Sequence, residues 1–209
     1  MIQLYDKIAY LTFDDGPTVY TNEIINILNQ YQVKGTFFII GINAKRFPDV
    51  IQRLKKEGHQ IGNHSYTHDY NLIYLNATNF INELELTDKI IYNLTGQHHN
   101  LFRFPGGSST LMATPEQITG YIKILQQRGF EYFDWNVDSG DILADNADQI
   151  VNNIEDQIKD KTIALILLHS TRLITVEALP RIIILLKTYG FQMQPLTKGS
   201  YHAHHRLSN

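Results

Sequence analysis

Short apolar runs alternate with amphipathic stretches along almost the whole chain, and this alternation limits the possible folds more than any other feature. Ile8 to Phe13, Thr36 to Ile40, Gln60 to Asn63, Leu101 to Phe104, Phe130 to Val137, Thr162 to Leu168 and Phe191 to Leu196 read as strands. Helical periodicity places Ile24, Ile27, Leu28 and Tyr31 on one face over Thr21 to Tyr31. Phe47, Val50, Ile51 and Leu54 mark a second helix stopped by Gly58, and Phe80 to Leu94 a third ending at Gly96. Thr114-Pro115-Glu116-Gln117 has the form of a capping box with proline at the first helical position, and Gly129 closes that helix. Two more helices carry Ile150, Val151, Ile154 and Ile158, then Val176 to Leu186, where Pro180 leaves the start open. About seven β-then-α units in about 200 residues predict an α/β fold with a parallel sheet closed into a barrel. An open doubly wound sheet is the competitor.

The chain's 209 residues suffice for one well-buried domain, and no repeat, linker or low-complexity segment divides them. A single domain over 1–199 is expected, followed by a polar tail over 200–209 that holds His202, His204 and His205 and is expected to fray. A hydrophobic content of 43% with 19% charged residues is ordinary for a soluble globular protein. The net charge of -3 and the scattered lysines and arginines argue against nucleic acid or an anionic membrane surface as partner. Without cysteine there is no disulfide or thiolate chemistry, so any metal must use His, Asp or Glu. No run reaches the length of a transmembrane helix. Met1 to Lys7 lacks the basic start and apolar core of a signal peptide, so either the protein is cytosolic or an export segment lies outside this chain.

Every unusual polar cluster follows directly after a strand. Asp14-Asp15-Gly16-Pro17 follows the first, and His64-Ser65-Tyr66-Thr67-His68 follows the third. Arg103-Phe104-Pro105-Gly106-Gly107, Asp138-Ser139-Gly140-Asp141 and His169 follow later ones. In a β/α barrel these positions share the C-terminal rim, where active sites lie. Two imidazoles four apart in a helical turn would share one face, and an aspartate would complete a His, His, carboxylate set with coordination positions left open. The second aspartate would then be free to act as a base. Taken singly, each cluster also has a plain structural reading. Asp14 and Asp15 suit a turn, His169 a hydrogen-bonded structural histidine, Arg103 a core ion pair, and Trp135, the only tryptophan, core packing rather than a sugar platform. His59, His98 and His99 carry no assignment. The convergence of five clusters on one rim is what favours chemistry.

In order and content these clusters resemble the polysaccharide deacetylase family, the NodB-homology domain of carbohydrate esterase family 4, from about Ile8 to Leu196. Lys34-Gly35-Thr36-Phe37-Phe38 and Gly58-His59-Gln60-Ile61-Gly62-Asn63 are also similar to it. The resemblance implies a distorted (β/α)7 barrel, TIM-barrel-like. It implies that Asp15, His64 and His68 bind a divalent metal, zinc above all, with cobalt, nickel or manganese as substitutes. Asp14 would be the general base, Arg103 its orienting partner and His169 the general acid. Asp141, or else Asp138, would hold His169, the Gly106 N–H would be an oxyanion donor, and Trp135 and Leu167 would contact substrate.

The implied reaction is deacetylation of an N-acetylglucosamine polymer, with peptidoglycan leading and chitin oligomers or acetylated xylan as alternatives. A silent carbohydrate-binding module and a hydrolase of small amides are the rival readings. A monomer outside the cytoplasm is expected. Two departures stand out. Phe104 and Gly106 replace a proline and a tyrosine of the third motif, which predicts a wider sugar site, and Ile142 stands where the fourth motif often has tryptophan.

Overall fold

The computed structural model describes residues 7–207. The first six residues, expected not to form a signal peptide, and the last two of the tail lie outside the described residues. The strands are β1 (Lys7–Gly16), β2 (Thr36–Ile39), β3 (Gln60–Asn63), β4 (Leu101–Phe102), β5 (Glu131–Tyr132), β6 (Val137–Asp138), β7 (Ile163–His169) and β8 (Phe191–Met193). Among them run helices α1 (Thr21–Gln30), α2 (Gly41–Arg46), α3 (Pro48–Lys56), α4 (Tyr70–Ile73), α5 (Ala77–Thr95), α6 (Pro115–Gln127), α7 (Ala147–Ile158) and α8 (Leu173–Thr188). The sheet is ordered β5-β4-β3-β2-β1-β7-β6, and every pairing is parallel. β7 takes one edge of β1 over Ile8 to Asp14, and β2 and β8 divide the other edge, at Thr12 to Gly16 and Lys7 to Ala9.

The outer strands of this order, β5 and β6, are consecutive in the chain. Only residues 133–136 separate them, so the sheet has to curl until its edges nearly meet. Phe133 N–H still pairs with Phe102 O at 2.9 Å, and Asn136 N–H with Leu165 O at 3.1 Å. The expected single strand from Phe130 to Val137 is therefore two strands and a crossing, because that stretch has to step from one sheet edge to the other. The result is the expected distorted (β/α)7 barrel, with a seam where ladder hydrogen bonds are missing.

Strand alternation sorts the core. Ala9, Leu11 and Phe13 of β1 join Phe37, Ile166 and Leu168 in a cluster with the helix residues Ile24, Leu28, Ile51, Ile154 and Ile182. Tyr10, Phe38, Leu101, Phe133 and Leu165 point the other way and form a separate interior cluster. Phe80, Phe102, Phe104 and Tyr121 make a third beneath α5 and α6.

Thr114 caps α6 as the sequence predicts. Its side chain accepts from Gln117 N–H, and Gln117 Oε1 accepts from Thr114 N–H at 2.9 Å, an arrangement typically worth about 0.5–2 kcal/mol. α8 continues through Pro180, held by the buried Val176, Ala178, Leu179, Ile182 and Ile183. The short helices α2 and α4 escape periodicity because each is little more than a turn or two. The tail is docked rather than frayed as far as Leu207. Ala203 is buried, and its carbonyl accepts Asp134 N–H at 3.0 Å.

Candidate active site and metal centre

Adjacent residues of a regular strand point to opposite faces, so Asp14 and Asp15 need an irregularity to share a site. β1 provides one: its register with β2 slips between Phe13 and Gly16, and Asp15 has φ +66°. A bulge of this kind re-aims a side chain, and aspartate tolerates the left-handed region better than most residues. Asn43 Nδ2–H donates to Asp15 O at 3.0 Å and Ile40 N–H to Gly16 O at 2.9 Å, which fixes the distortion.

The two histidines come from a loop after β3, not from the expected helical turn. Ser65 and His68 hold φ +70° and +60°. The loop is anchored from α5, where Glu83 Oε2 accepts Tyr66 N–H at 2.9 Å, Thr67 N–H at 2.7 Å and Thr67 Oγ1–H at 3.0 Å. Gly41 has to be a glycine because a Cβ there would meet Thr87 Oγ1 at 2.5 Å and Tyr66 Cδ2 at 2.6 Å. Glu83 was invisible to motif reading, since only the folded packing of α5 brings it to this loop.

His64 Nε2 and His68 Nε2 stand 3.4 and 3.2 Å from Asp15 Oδ1, a buried oxygen that accepts no hydrogen bond. His64 Nδ1 faces Arg103 O at 2.9 Å. A carbonyl only accepts, so that nitrogen carries a proton, and neutral His64 turns its Nε2 lone pair toward Asp15. Lone pairs and a carboxylate facing one another call for a cation between them. Asp15, His64 and His68 are also the group of three ligands gathered closely enough for one ion among the described residues. The donor set therefore fits a divalent metal.

Where no cation lies among these groups, the carboxylates favour a proton on His64 in its place. Burial would raise the Asp15 pKa, but contact with His64 and the charges of His64, His68 and His169 hold it down at about 2. His64 feels burial most, yet Asp14 and Asp15 carry its pKa above the ordinary value. His68 is lowered, first by burial and then by the charge of His64.

Asp14 is buried, and Arg103 Nη1–H donates to its Oδ1 at 2.9 Å. Arg103 is wholly buried and does more than pair. It donates to Thr12 Oγ1 at 2.7 Å and to the carbonyls of Phe133 and Asp134 at 2.9 Å each, and it lies 4.2 Å over the Phe38 ring. The reading of Arg103 as a core ion pair holds, and its partner in that pair is the candidate base Asp14. His169 donates its N–H to Asp141 Oδ2 and directs Nδ1 to Asp141 Oδ1, each at 2.7 Å, while Thr175 Oγ1–H bonds the same carboxylate. Asp138 is exposed and its N–H binds Gln157 Oε1, so it is Asp141 that pairs with His169. Burial lowers the His169 pKa, but Asp141, reinforced by Asp14 and Asp15, raises it to about 9.

A cavity of about 350 Å³ is lined by Asp14, Asp15, His64, His68 and His169, and also by Tyr70, Gly106, Trp135, Ile142 and Leu167. Every candidate residue except Arg103, Asp141 and Asp138 reaches it directly, and the first two contact Asp14 and His169. Gly106 has φ +76°, and its N–H meets no acceptor among the described residues. Tyr70 and Thr110 stand beside Gly106, where an added Cβ would meet Tyr70 Cε1 at 3.1 Å and Thr110 Oγ1 at 3.2 Å. Trp135 lines the cavity with its ring edge-on to His205, 4.5 Å between centroids.

The family model "Polysaccharide deacetylase" matches residues 3–132. A peptidoglycan-N-acetylglucosamine deacetylase of Bacillus cereus is 36% identical, over 93% of this chain and 71% of that protein. PdaA of Bacillus subtilis, a peptidoglycan-N-acetylmuramic acid deacetylase, is 29% identical over 97% of this chain and 74% of its own. The catalytic domain of peptidoglycan N-acetylglucosamine deacetylase from Eubacterium rectale superimposes with a TM-score of 0.92 at 35% identity, covering 100% of this chain and 96% of that one. Against three similar Bacillus proteins, the chain spans between 63% and 71% of their lengths.

Proposed function

The chain belongs to the polysaccharide deacetylase family, and on that premise we propose that it is a divalent-metal-dependent N-deacetylase of peptidoglycan, acting on N-acetylglucosamine. The observation that carries this reading is the orphaned Asp15 oxygen between two imidazoles, in one cavity with an arginine-held carboxylate and a carboxylate-held histidine. The sugar is chosen on the names of two relatives, and N-acetylmuramic acid is the other outcome of the assay.

Asp15, His64 and His68 would hold the cation, with zinc suited to this His, His, carboxylate set. When bound, it lowers the pKa of a water toward ~7 and polarises the acyl oxygen. Asp14 takes the proton of the water that adds to the acetamide carbon. Its Oδ1 is engaged by Arg103, and Oδ2 is 3.7 Å from His64 Nε2, without a short partner of its own. The Gly106 N–H donates to the acyl oxygen as negative charge develops there, a contribution typically of ~2.7–4 kcal/mol for such a donor. His169 has Nδ1 tied to Asp141, so Nε2 delivers the proton to the amine nitrogen as the C–N bond breaks. Acetate and a free amino sugar are the products.

Acetate release from N-acetylglucosamine oligomers and from peptidoglycan tests the proposal. Activity should vanish with chelator and return with zinc, and absence of acetate from every acetylated glycan in zinc-loaded protein overturns it. Such a substrate places the protein outside the cytoplasm. No helix among the described residues is long and apolar enough to cross a membrane. Recovery of the native protein only from cytosol would contradict that location.

A further inference from the structure

We infer that Tyr70 is a substrate-contacting residue, its hydroxyl a second donor to the acyl oxygen beside the Gly106 N–H. The inference rests on the deacetylase reading for what the donor meets. Tyr70 opens α4, and Tyr74 lies one turn later on the same side. Tyr74 Oη–H donates to Pro105 O at 2.7 Å, which fixes that side of α4 against the loop carrying Gly106. Tyr70 reaches further in. Its ring stands edge-on to His68 with centroids 5.3 Å apart, and it lines the cavity with Asp14, Asp15 and His169.

The hydroxyl is placed at one particular corner. A Cβ on Gly106 would come within 3.1 Å of Tyr70 Cε1 and 3.3 Å of Tyr70 Oη. Unlike Tyr74, Tyr70 has no hydrogen-bond partner for its hydroxyl among the described residues. A tyrosine that turns its O–H into a cavity ordinarily finds an acceptor there. Two unengaged donors, the Gly106 N–H and the Tyr70 O–H, thus belong to neighbouring residues on the wall of the cavity that holds the ligand cluster. An oxygen that gains negative charge during the reaction is the acceptor that suits both.

The test compares the parent with Tyr70→Phe, which keeps the ring and breaks no internal hydrogen bond. Zinc content, kcat and KM on N-acetylglucosamine oligomers would be measured. Calorimetric titration of the zinc-loaded proteins with acetohydroxamate, an acyl-group mimic, needs no turnover. Tyr70→Phe should retain zinc, lose kcat on the order of 10-fold with KM nearly unchanged, and bind the probe on the order of 10-fold more weakly. Parental kcat and parental probe affinity in Tyr70→Phe overturn the inference. So does loss of zinc, which would make Tyr70 a prop for His68. A parent that binds the probe but releases no acetate sinks the deacetylase reading, while weaker probe binding by Tyr70→Phe still upholds the contact. A parent that neither binds the probe nor releases acetate removes both, and one that releases acetate without binding the probe keeps the deacetylase reading and leaves the kcat of Tyr70→Phe to decide the contact.

Discussion

Asp14 and Asp15 differ by one position and should differ in what their loss removes. Asp15→Ala should abolish stoichiometric zinc, because two histidines alone remain. Asp14→Asn should keep zinc and fold while turnover falls roughly 10²–10⁴-fold, since an amide cannot accept the water's proton. Metal analysis and acetate release on the same preparations check both. If the two outcomes were exchanged, so would be the roles. The motif made these two residues legible, but the bulge that turns Asp15 into the cavity was not, since it depends on a register slip against β2. His169 offers a second residue-scale prediction. In metal-free protein its ring should titrate near pH 9 by NMR rather than at 6.5, and Asp141→Asn should bring it down. A raised folded pKa means that the pairing stabilises fully below pH 6.5 and loses its effect as pH rises through about 9. Asp141 is lowered from its ordinary 3.8, burial opposing and His169 prevailing, so on the acid side the effect fades as pH falls through that lowered range.

Among the elements, the loop from His64 to His68 depends on α5. Glu83→Ala removes the acceptor of three hydrogen bonds and should weaken zinc binding about 10- to 100-fold, with Glu83→Gln recovering part of it. Competition with a chromogenic chelator measures this, and an unchanged affinity would show that the loop holds its shape unaided. The tail matters similarly. His205 donates its N–H to Asp134 Oδ2 at 2.9 Å, and its Nε2 meets Trp135 O at 2.9 Å. Removing residues 200–209 leaves Asp134, which also binds Ser108, short of a partner. The cost should be about 1–3 kcal/mol, seen as a Tm lower by several degrees and a red-shifted emission from Trp135, the one tryptophan. Unaltered emission would mean that the tail only rests there. Long elements such as α1, α5 and α7 were legible from their apolar spacing. The tail's docking was not, because its histidines and Ala203 form no periodic pattern and find partners only once residues 131–135 are in place.

At the scale of the whole molecule, the seam between β5 and β6 makes Arg103 a structural as well as a site residue. An arginine whose one task was to orient Asp14 would be dispensable for the fold. Its bonds to Phe133 O, Asp134 O, Thr12 and Asp14 revise that expectation. Removing one partner of a buried ion pair typically costs about 3–5 kcal/mol, so Arg103→Met should lower the denaturation midpoint steeply before any assay is read. Near-parental stability would mean that the crossing residues close the barrel without it.

Sequence distance across the sheet has a consequence for how the chain is made. Thr12 donates to Ile166 O, 154 positions further on, and Asp14 pairs with His169 at the top of the same ladder. At about 5–20 residues per second, a ribosome needs on the order of 8–30 s to deliver β7 after β1 has emerged. Through that interval one edge of a largely buried strand, Ile8 to Phe13, waits without its partner. An unpaired apolar edge is a template for the wrong strand, including the same strand of another copy. The point of greatest hazard for this protein is its own synthesis, and yield on refolding from dilute versus concentrated solution will report it more sensitively than the melting of the finished molecule.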